Sequence, residues 1–136
     1  MSNTEKTLSI IKPDAVERNL DNEIKEILKN NGFNIHKEKK IKITKSEAEQ
    51  FYKVHETKPF YNDLCAYLSS GPIVVMVLEK ENAVLGNREL MGATKPEEAA
   101  EGTIRKKYGI SIDKNSVHGS DSVENAKIEI DFFFKD

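Results

Sequence analysis

The sequence predicts an α/β (α+β) fold with a ferredoxin-like βαββαβ core, a four-stranded antiparallel sheet with additional helices. Three observations carry that expectation. Strand-like and helix-like apolar patterns follow one another in the order β-α-β-α-α-β-α-β-α, which contains the βαββαβ arrangement that pairs four strands antiparallel with helices on one face. One nearly unbroken apolar run of strand length, Ile73-Val74-Val75-Met76-Val77-Leu78, suits a central strand buried on both sides. The chain has 136 residues, the size of one ordinary domain, and shows no linker, repeat or low-complexity stretch. Residues 1–136 are therefore expected to form a single domain.

The first strand is expected at Leu8-Ser9-Ile10-Ile11, ended at Lys12-Pro13 because proline has no amide to donate. Leu20, Ile24, Ile27 and Leu28 then recur at helical spacing, with Asn19 or Asp21 as N-cap and Gly32 as the stop. Phe33, Ile35, Ile41 and Ile43 mark a second strand, whose charged middle, Lys37-Glu38-Lys39-Lys40, reads as a solvated sheet edge. Thr44 and Glu47 have the capping-box spacing, so a helix should open there and run to about His55. A second helix is expected from Phe60 to Leu68, before the Ser69-Ser70-Gly71-Pro72 turn and the apolar third strand. Asn82 to Met91 reads as a helix, Gly92 to Gly102 as a loop, and Thr103 to Tyr108 as one helical turn. The segment around His118 supplies the last strand. Asp121, with Glu124 three residues on, should open a final helix, although Ile128, Ile130 and Phe132 also alternate like a strand.

Composition narrows the function. Hydrophobic residues make up 38% and charged residues 32%, the balance of a well-solvated globular protein. A net charge of −2 gives no electrostatic footprint for nucleic acid as a specific partner. The single cysteine, Cys65, permits no internal disulfide and no Cys-x-x-Cys metal site. Met1-Ser2-Asn3-Thr4-Glu5-Lys6 lacks an apolar signal core, and no run approaches the roughly 18 apolar residues that a membrane span requires. A cytoplasmic location without membrane attachment is the expectation.

The most informative stretch is Asn115-Ser116-Val117-His118-Gly119-Ser120-Asp121-Ser122. An unperturbed imidazole, with a pKa of about 6.5, is mostly neutral near pH 7 and needs no strong base before it attacks an electrophile. Gly119 removes a side chain beside the ring, which would let a bulky group approach, and Ser120 can donate or accept a hydrogen bond. Taken alone, a histidine here reads first as a residue that caps or fills a turn. No Gly-x-x-x-x-Gly-Lys-[Ser/Thr] loop or protein-kinase catalytic loop is present.

Together with Thr7-Leu8-Ser9-Ile10-Ile11-Lys12-Pro13-Asp14, Ser70-Gly71-Pro72 and Gly102-Thr103-Ile104-Arg105, this stretch resembles the nucleoside diphosphate kinase family and its Asn-x-x-His-Gly-Ser-Asp signature. The matches fall in order along nearly the whole chain. The resemblance implies reversible ping-pong transfer of the γ-phosphate of a nucleoside triphosphate, mainly ATP, through a phosphohistidine at His118 to broadly varied ribo- and deoxyribonucleoside diphosphates. It implies that Ser120 and Glu129 orient the ring and that Tyr52 occupies a further active-site position. Lys12, Arg88 and Arg105, with Thr94, would bind phosphate. A unit-charge pair at 4 Å is worth roughly 4 kcal/mol at an effective dielectric near 20, before desolvation. Phe60 would stack on the base, which tolerates every base because each has a π-face, and Asn115 would contact the sugar. Mg²⁺ is implied on the nucleotide phosphates, with no protein carboxylate cage of its own. His36 and His55 match no catalytic position.

Three departures from the family pattern stand out: Ala15 in place of a usual glycine, Glu101 in place of a common proline, and Lys106-Lys107 where many members carry Gly-Asp. They bear on the turn after Asp14 and on phosphate affinity. Members of the family assemble as tetramers or hexamers. The end at Phe133-Phe134-Lys135-Asp136 lacks the tail of many hexameric members, whereas the loop around Pro96 matches a hexamer contact, so the number of subunits stays open. Two other readings remain: a phosphohistidine phosphatase, if water reaches the modified ring, and a non-catalytic nucleotide-binding module.

Overall fold

A computed structural model of the chain describes residues 4–53, 56–93, 95–110 and 116–134. Strand β1 spans Thr4–Ile11 and buries its last five residues. Pro13 then opens a short helix, α1 (Pro13–Glu17), that apolar periodicity did not predict. Five residues are too few to show a repeat, but a proline in the first turn is pre-set for a helix start. Helix α2 (Asp21–Asn30) follows, with Leu20 as its N-cap and no side-chain cap bond. This corrects the expectation of Asn19 or Asp21. Asn19 instead takes a left-handed φ of 60° in the reversal between the helices, and Asp21 sits inside the first turn, where a carboxylate favours the helix dipole.

Strand β2 (Asn34–Ile41) lies at a sheet edge with its charged middle exposed. Helix α3 (Lys45–Phe51) is opened by a full capping box, in which the Glu47 amide donates to Thr44 Oγ1 at 3.1 Å and the Thr44 amide donates to Glu47 Oε1 at 2.9 Å. It ends earlier than the spacing suggested, and His55 lies outside the described residues. Helix α4 covers Tyr61–Leu68, β3 Ile73–Glu81 and α5 Ala83–Met91. A 3-10 turn at Pro96–Glu98 interrupts the expected loop before α6 (Ile104–Tyr108). Strand β4 is Val117–Gly119 and α7 is Val123–Phe133. The last segment is thus a helix, but its cap is Ser122, whose hydroxyl accepts the Asn125 amide at 3.1 Å. Asp121, the expected cap, accepts the side-chain amide of Asn125 instead.

The strands run β2-β3-β1-β4, and every neighbouring pair is antiparallel. One core joins Ile11, Val74, Met76 and Leu78 to Ile24, Leu28, Ala83 and Met91. A second joins Leu8, Ile10, Ile73 and Val75 to Ala48, Tyr52, Cys65, Leu68 and Phe133. The crossover helices α2 and α5 therefore share one face, as the core arrangement demands. Helices α3, α4 and α7 cover the other face, so helices do not lie on one face only. Cover on both sides is why β3 is buried at every position from Ile73 to Leu78. Among the described residues, no helix is long and apolar enough to cross a membrane.

Candidate active site

His118 sits in the middle of β4, opposite Ile10 of β1. Side chains alternate along a strand, so Val117 joins the core beneath α2 and α5, while His118 turns toward the aromatic residues of α3. Helix α7 then returns past the strand and brings back Glu129. Its Oε1 lies 3.2 Å from His118 Nε2. The same oxygen accepts the hydroxyl of Ser120 at 2.8 Å. Ser120 is fully buried, and its Oγ accepts the Leu8 amide at 3.4 Å while its own amide donates to the Leu8 carbonyl at 3.2 Å. Ser120 thus meets the carboxylate that meets the ring. An ionised carboxylate can only accept, so the contact assigns the proton to Nε2 and a lone pair to Nδ1.

Two aromatic rings meet the imidazole edge-on. The Tyr52 centroid is 6.3 Å from it at 88°, and the Phe51 centroid is 5.4 Å away at 75°. Burial foremost, then the charge of Glu129, pushes the Tyr52 phenol up, with Arg105 opposing. Phe51 also packs on Phe132 and Phe133 of α7. Sequence reasoning gave Phe51 no role. Its position beside Tyr52 was the one available signal, because helical periodicity does not show which ring will face a distant strand.

The three matched cations come from separate elements. Lys12 follows β1 as the N-cap of α1 and is 5% exposed, and its amide donates to the Ser116 carbonyl at 2.8 Å, beside the start of β4. Arg88 is on the exposed side of α5. Arg105, on α6, donates through Nη1 to the Gly92 carbonyl and through Nη2 to the Val117 carbonyl, each at 3.0 Å. Its guanidinium is lowered to about 10, by burial first and then by the Arg88 charge, with Tyr52 acting in the opposite sense. Two cations that disfavour one another across a half-buried site make a place where an anion is stabilised. The buried Nε of Arg105 has no hydrogen-bond partner among the described residues.

Phe60 is 46% exposed and stands at the N-cap of α4, so its ring is a surface platform and not a core anchor. Thr94 and Asn115 lie outside the described residues. Gly119 serves another purpose than the one expected. A Cβ there would come within 2.4 Å of Asn87 Nδ2 and 2.7 Å of Met91 Cε, so the missing side chain lets α5 pack against β4. Ala15 is fully buried inside α1 and is not among the residues of positive φ, so that turn needs no glycine. Glu101, Lys106 and Lys107 are exposed. Among the described residues, no group of three or more His, Cys, Asp or Glu side chains could hold a metal ion.

A family model described as "Nucleoside diphosphate kinase" matches residues 5–136. The chain is 60% identical over 132 residues to the nucleoside diphosphate kinase of Rhizorhabdus wittichii, covering 97% of this chain and 94% of that protein. It is 57% identical over 130 residues to that of Persephonella marina, covering 96% and 93%. The orthorhombic crystal structure of the Aquifex aeolicus nucleoside diphosphate kinase superposes with a TM-score of 0.95 at 42% identity, over 96% of this chain and 95% of that one. The apo enzyme of Encephalitozoon cuniculi gives 0.94 at 36% identity, over 97% and 90%.

Proposed function

This chain belongs to the nucleoside diphosphate kinase family and is a phosphotransferase with that family's catalytic activity, and from that premise we propose the residue-level course of its reaction. Nδ1 of His118 attacks the γ-phosphorus of a nucleoside triphosphate, mainly ATP, in line with the β–γ bridging oxygen. The N–P bond forms as the bridging O–P bond breaks, and the nucleoside diphosphate departs with the electron pair. A terminal oxygen of a second nucleoside diphosphate then attacks the phosphorus and returns Nδ1 to its starting state. The observation that carries this reading is Glu129 Oε1 at 3.2 Å from Nε2, because it directs the lone pair to Nδ1.

Lys12, Arg88 and Arg105 would bind the phosphates and take up charge in a loose transition state, joined by Thr94. The proximity of Arg88 to Arg105 supports an anion between them. Phe60 would stack on the base without choosing among bases, and Asn115 would meet the sugar. Tyr52 and Ser120 would hold the ring and its carboxylate. Mg²⁺ would enter on the nucleotide as part of the substrate, keeping several of its waters. The whole chain, residues 1–136, would act as one catalytic domain, in a cytoplasmic tetramer or hexamer whose size sedimentation can determine.

The test is incubation with γ-phosphate-labelled ATP, beside His118→Ala, and a chase with unlabelled GDP. Acid-labile label on the wild type alone, moving to GTP in the chase, is the expected result. Label that never appears would overturn the phosphohistidine course. Label that leaves as free phosphate without an acceptor would replace it with hydrolysis.

A further inference from the structure

A second buried polar assembly lies around Asp14, in the first turn of α1. Its side chain is 4% exposed. Oδ2 accepts Arg18 Nη2 at 3.2 Å and Ser116 Oγ at 3.2 Å. Oδ1 accepts the Tyr67 hydroxyl, whose oxygen in turn accepts the Asp14 amide at 2.8 Å. Arg18 continues outward, donating to the Tyr108 carbonyl at 2.7 Å and to Ser116 Oγ at 3.3 Å. One carboxylate therefore gathers α1, the last turn of α4, the end of α6 and the residue that leads into β4.

Ser116 is the unusual member. Its φ of 75° is left-handed, a conformation that side-chain-bearing residues adopt rarely and hold only where the surroundings impose it. Here three hydrogen bonds impose it. The Ser116 carbonyl accepts the Lys12 amide at 2.8 Å, and its hydroxyl donates to Asp14 while accepting from Arg18. Lys12 and Asp14 flank Pro13, and His118 follows two residues after Ser116. The β1–β4 ladder sets Ile10 opposite His118, and the Lys12–Ser116 bond extends that registration to the phosphate-binding lysine through a left-handed residue.

We propose that Asp14 is a positioning residue for phosphoryl transfer: by holding Ser116 in its left-handed conformation, it sets the spacing between Lys12 and His118. This rests on the reading that His118 accepts the phosphate. Misplacing a reacting group by about 1 Å can slow a transfer roughly 100-fold, while leaving ground-state nucleotide contacts largely in place.

The decisive variants are Ser116→Gly and Asp14→Asn, followed by rapid-quench labelling with γ-labelled ATP, titration with ADP, and urea unfolding. Glycine adopts a positive φ freely but is not confined to it. Ser116→Gly relieves the left-handed strain but takes the hydroxyl from Asp14, so the unfolding midpoint is expected to hold or fall slightly, while labelling slows about tenfold or more and ADP affinity holds. Asp14→Asn should slow labelling comparably, and the double variant should be little slower than the slower single, because the two residues act as one unit. Wild-type labelling rates in Ser116→Gly, or losses that multiply in the double variant, would overturn the proposal. If Asp14→Asn does not fold, Ser116→Gly decides alone. If the wild type itself takes no label on His118, it is the phosphohistidine reading that fails, which separates the two outcomes.

Discussion

Glu129 reaches His118 from the following helix and sets Oε1 3.2 Å from Nε2, and that oxygen also takes the Ser120 hydroxyl at 2.8 Å. The ring is held by a carboxylate that is itself held. A hydrogen bond to a charged group contributes about 1.5–3 kcal/mol, which corresponds to roughly 10- to 100-fold in rate if it is expressed at the transition state. Glu129→Gln is expected to slow His118 labelling by about that factor, since an amide can also present its donor to the ring. Ser120→Ala should cost about 1 kcal/mol, a smaller loss because Glu129 keeps the ring. Quenched-flow labelling measures both, and equal losses would contradict the hierarchy.

Phe51 shields one edge of the imidazole from within a cluster with Phe132 and Phe133. Edge-to-face pairs contribute about 0.5–1.5 kcal/mol each beyond their burial, and a ring on that side would keep water from a phosphorylated His118. Phe51→Ala is expected to destabilise the fold by about 2 kcal/mol, less than a fully buried phenylalanine would. It should also shorten the lifetime of the phosphorylated enzyme without an acceptor, with Phe51→Leu intermediate. The half-life of acid-labile label tests it, and an unchanged half-life would remove the shielding role.

Gly119 is needed by the packing of α5. A Cβ placed 2.4 Å from Asn87 Nδ2 forces a neighbour to move, and overpacking of this kind costs about 1–3 kcal/mol. Gly119→Ala should lower the urea midpoint accordingly. Asn87 is 1% exposed, and its Oδ1 has no hydrogen-bond partner among the described residues, so trimming it vacates space at little polar loss. Adding Asn87→Ala to Gly119→Ala is expected to recover part of the stability, and strict additivity of the two changes would refute the contact as the cause.

Stability above about pH 10 should report on Tyr52 and Tyr67. Burial first, then Glu129 for Tyr52 and the Asp14 hydrogen bond for Tyr67, raise these phenols from 10.0. The unfolded chain releases those protons before the folded one does, so it binds fewer protons and stability falls with pH. Their stabilisation is complete below the unfolded value and is lost as pH rises through the folded ones. Arg105 has the opposite sign, since its folded value of about 10 lies below 12.5, and it gains over the same window. The difference between the wild type and Tyr52→Phe/Tyr67→Phe isolates the phenols. The variant's unfolding midpoint should decline less from about pH 9 to about pH 11, and parallel declines would contradict the assignment.

Much of this molecule is legible in its local patterns. Ile73 to Leu78 reads as a doubly buried strand because each position is apolar, and Thr44 with Glu47 announces a helix because a capping box involves only four neighbouring residues. The errors fall where local chemistry leaves several answers open. Asp121 and Ser122 can both cap a helix, and it is Ser122, in extended conformation, whose hydroxyl takes the Asn125 amide. Helix α1 is too short for periodicity, and Asp14 inside it reads as an ordinary helix-start carboxylate until Tyr67, Ser116 and Arg18 converge on it.

The sequence by itself determined the order of the strands and longer helices, the antiparallel sheet class, the buried central strand and, through its ordered motifs, the family. Those properties follow from short-range spacing and from which side chains avoid water. Only the tertiary structure decided that Glu129 meets His118 at Nε2, that Gly119 serves α5, and that Asp14 meets Ser116. These are meetings between residues distant along the chain, and their distances are set by how the helices pack on the two faces of the sheet. A hydrogen bond requires an approach to within about 3 Å, a tolerance that residue spacing cannot specify and a close-packed core can.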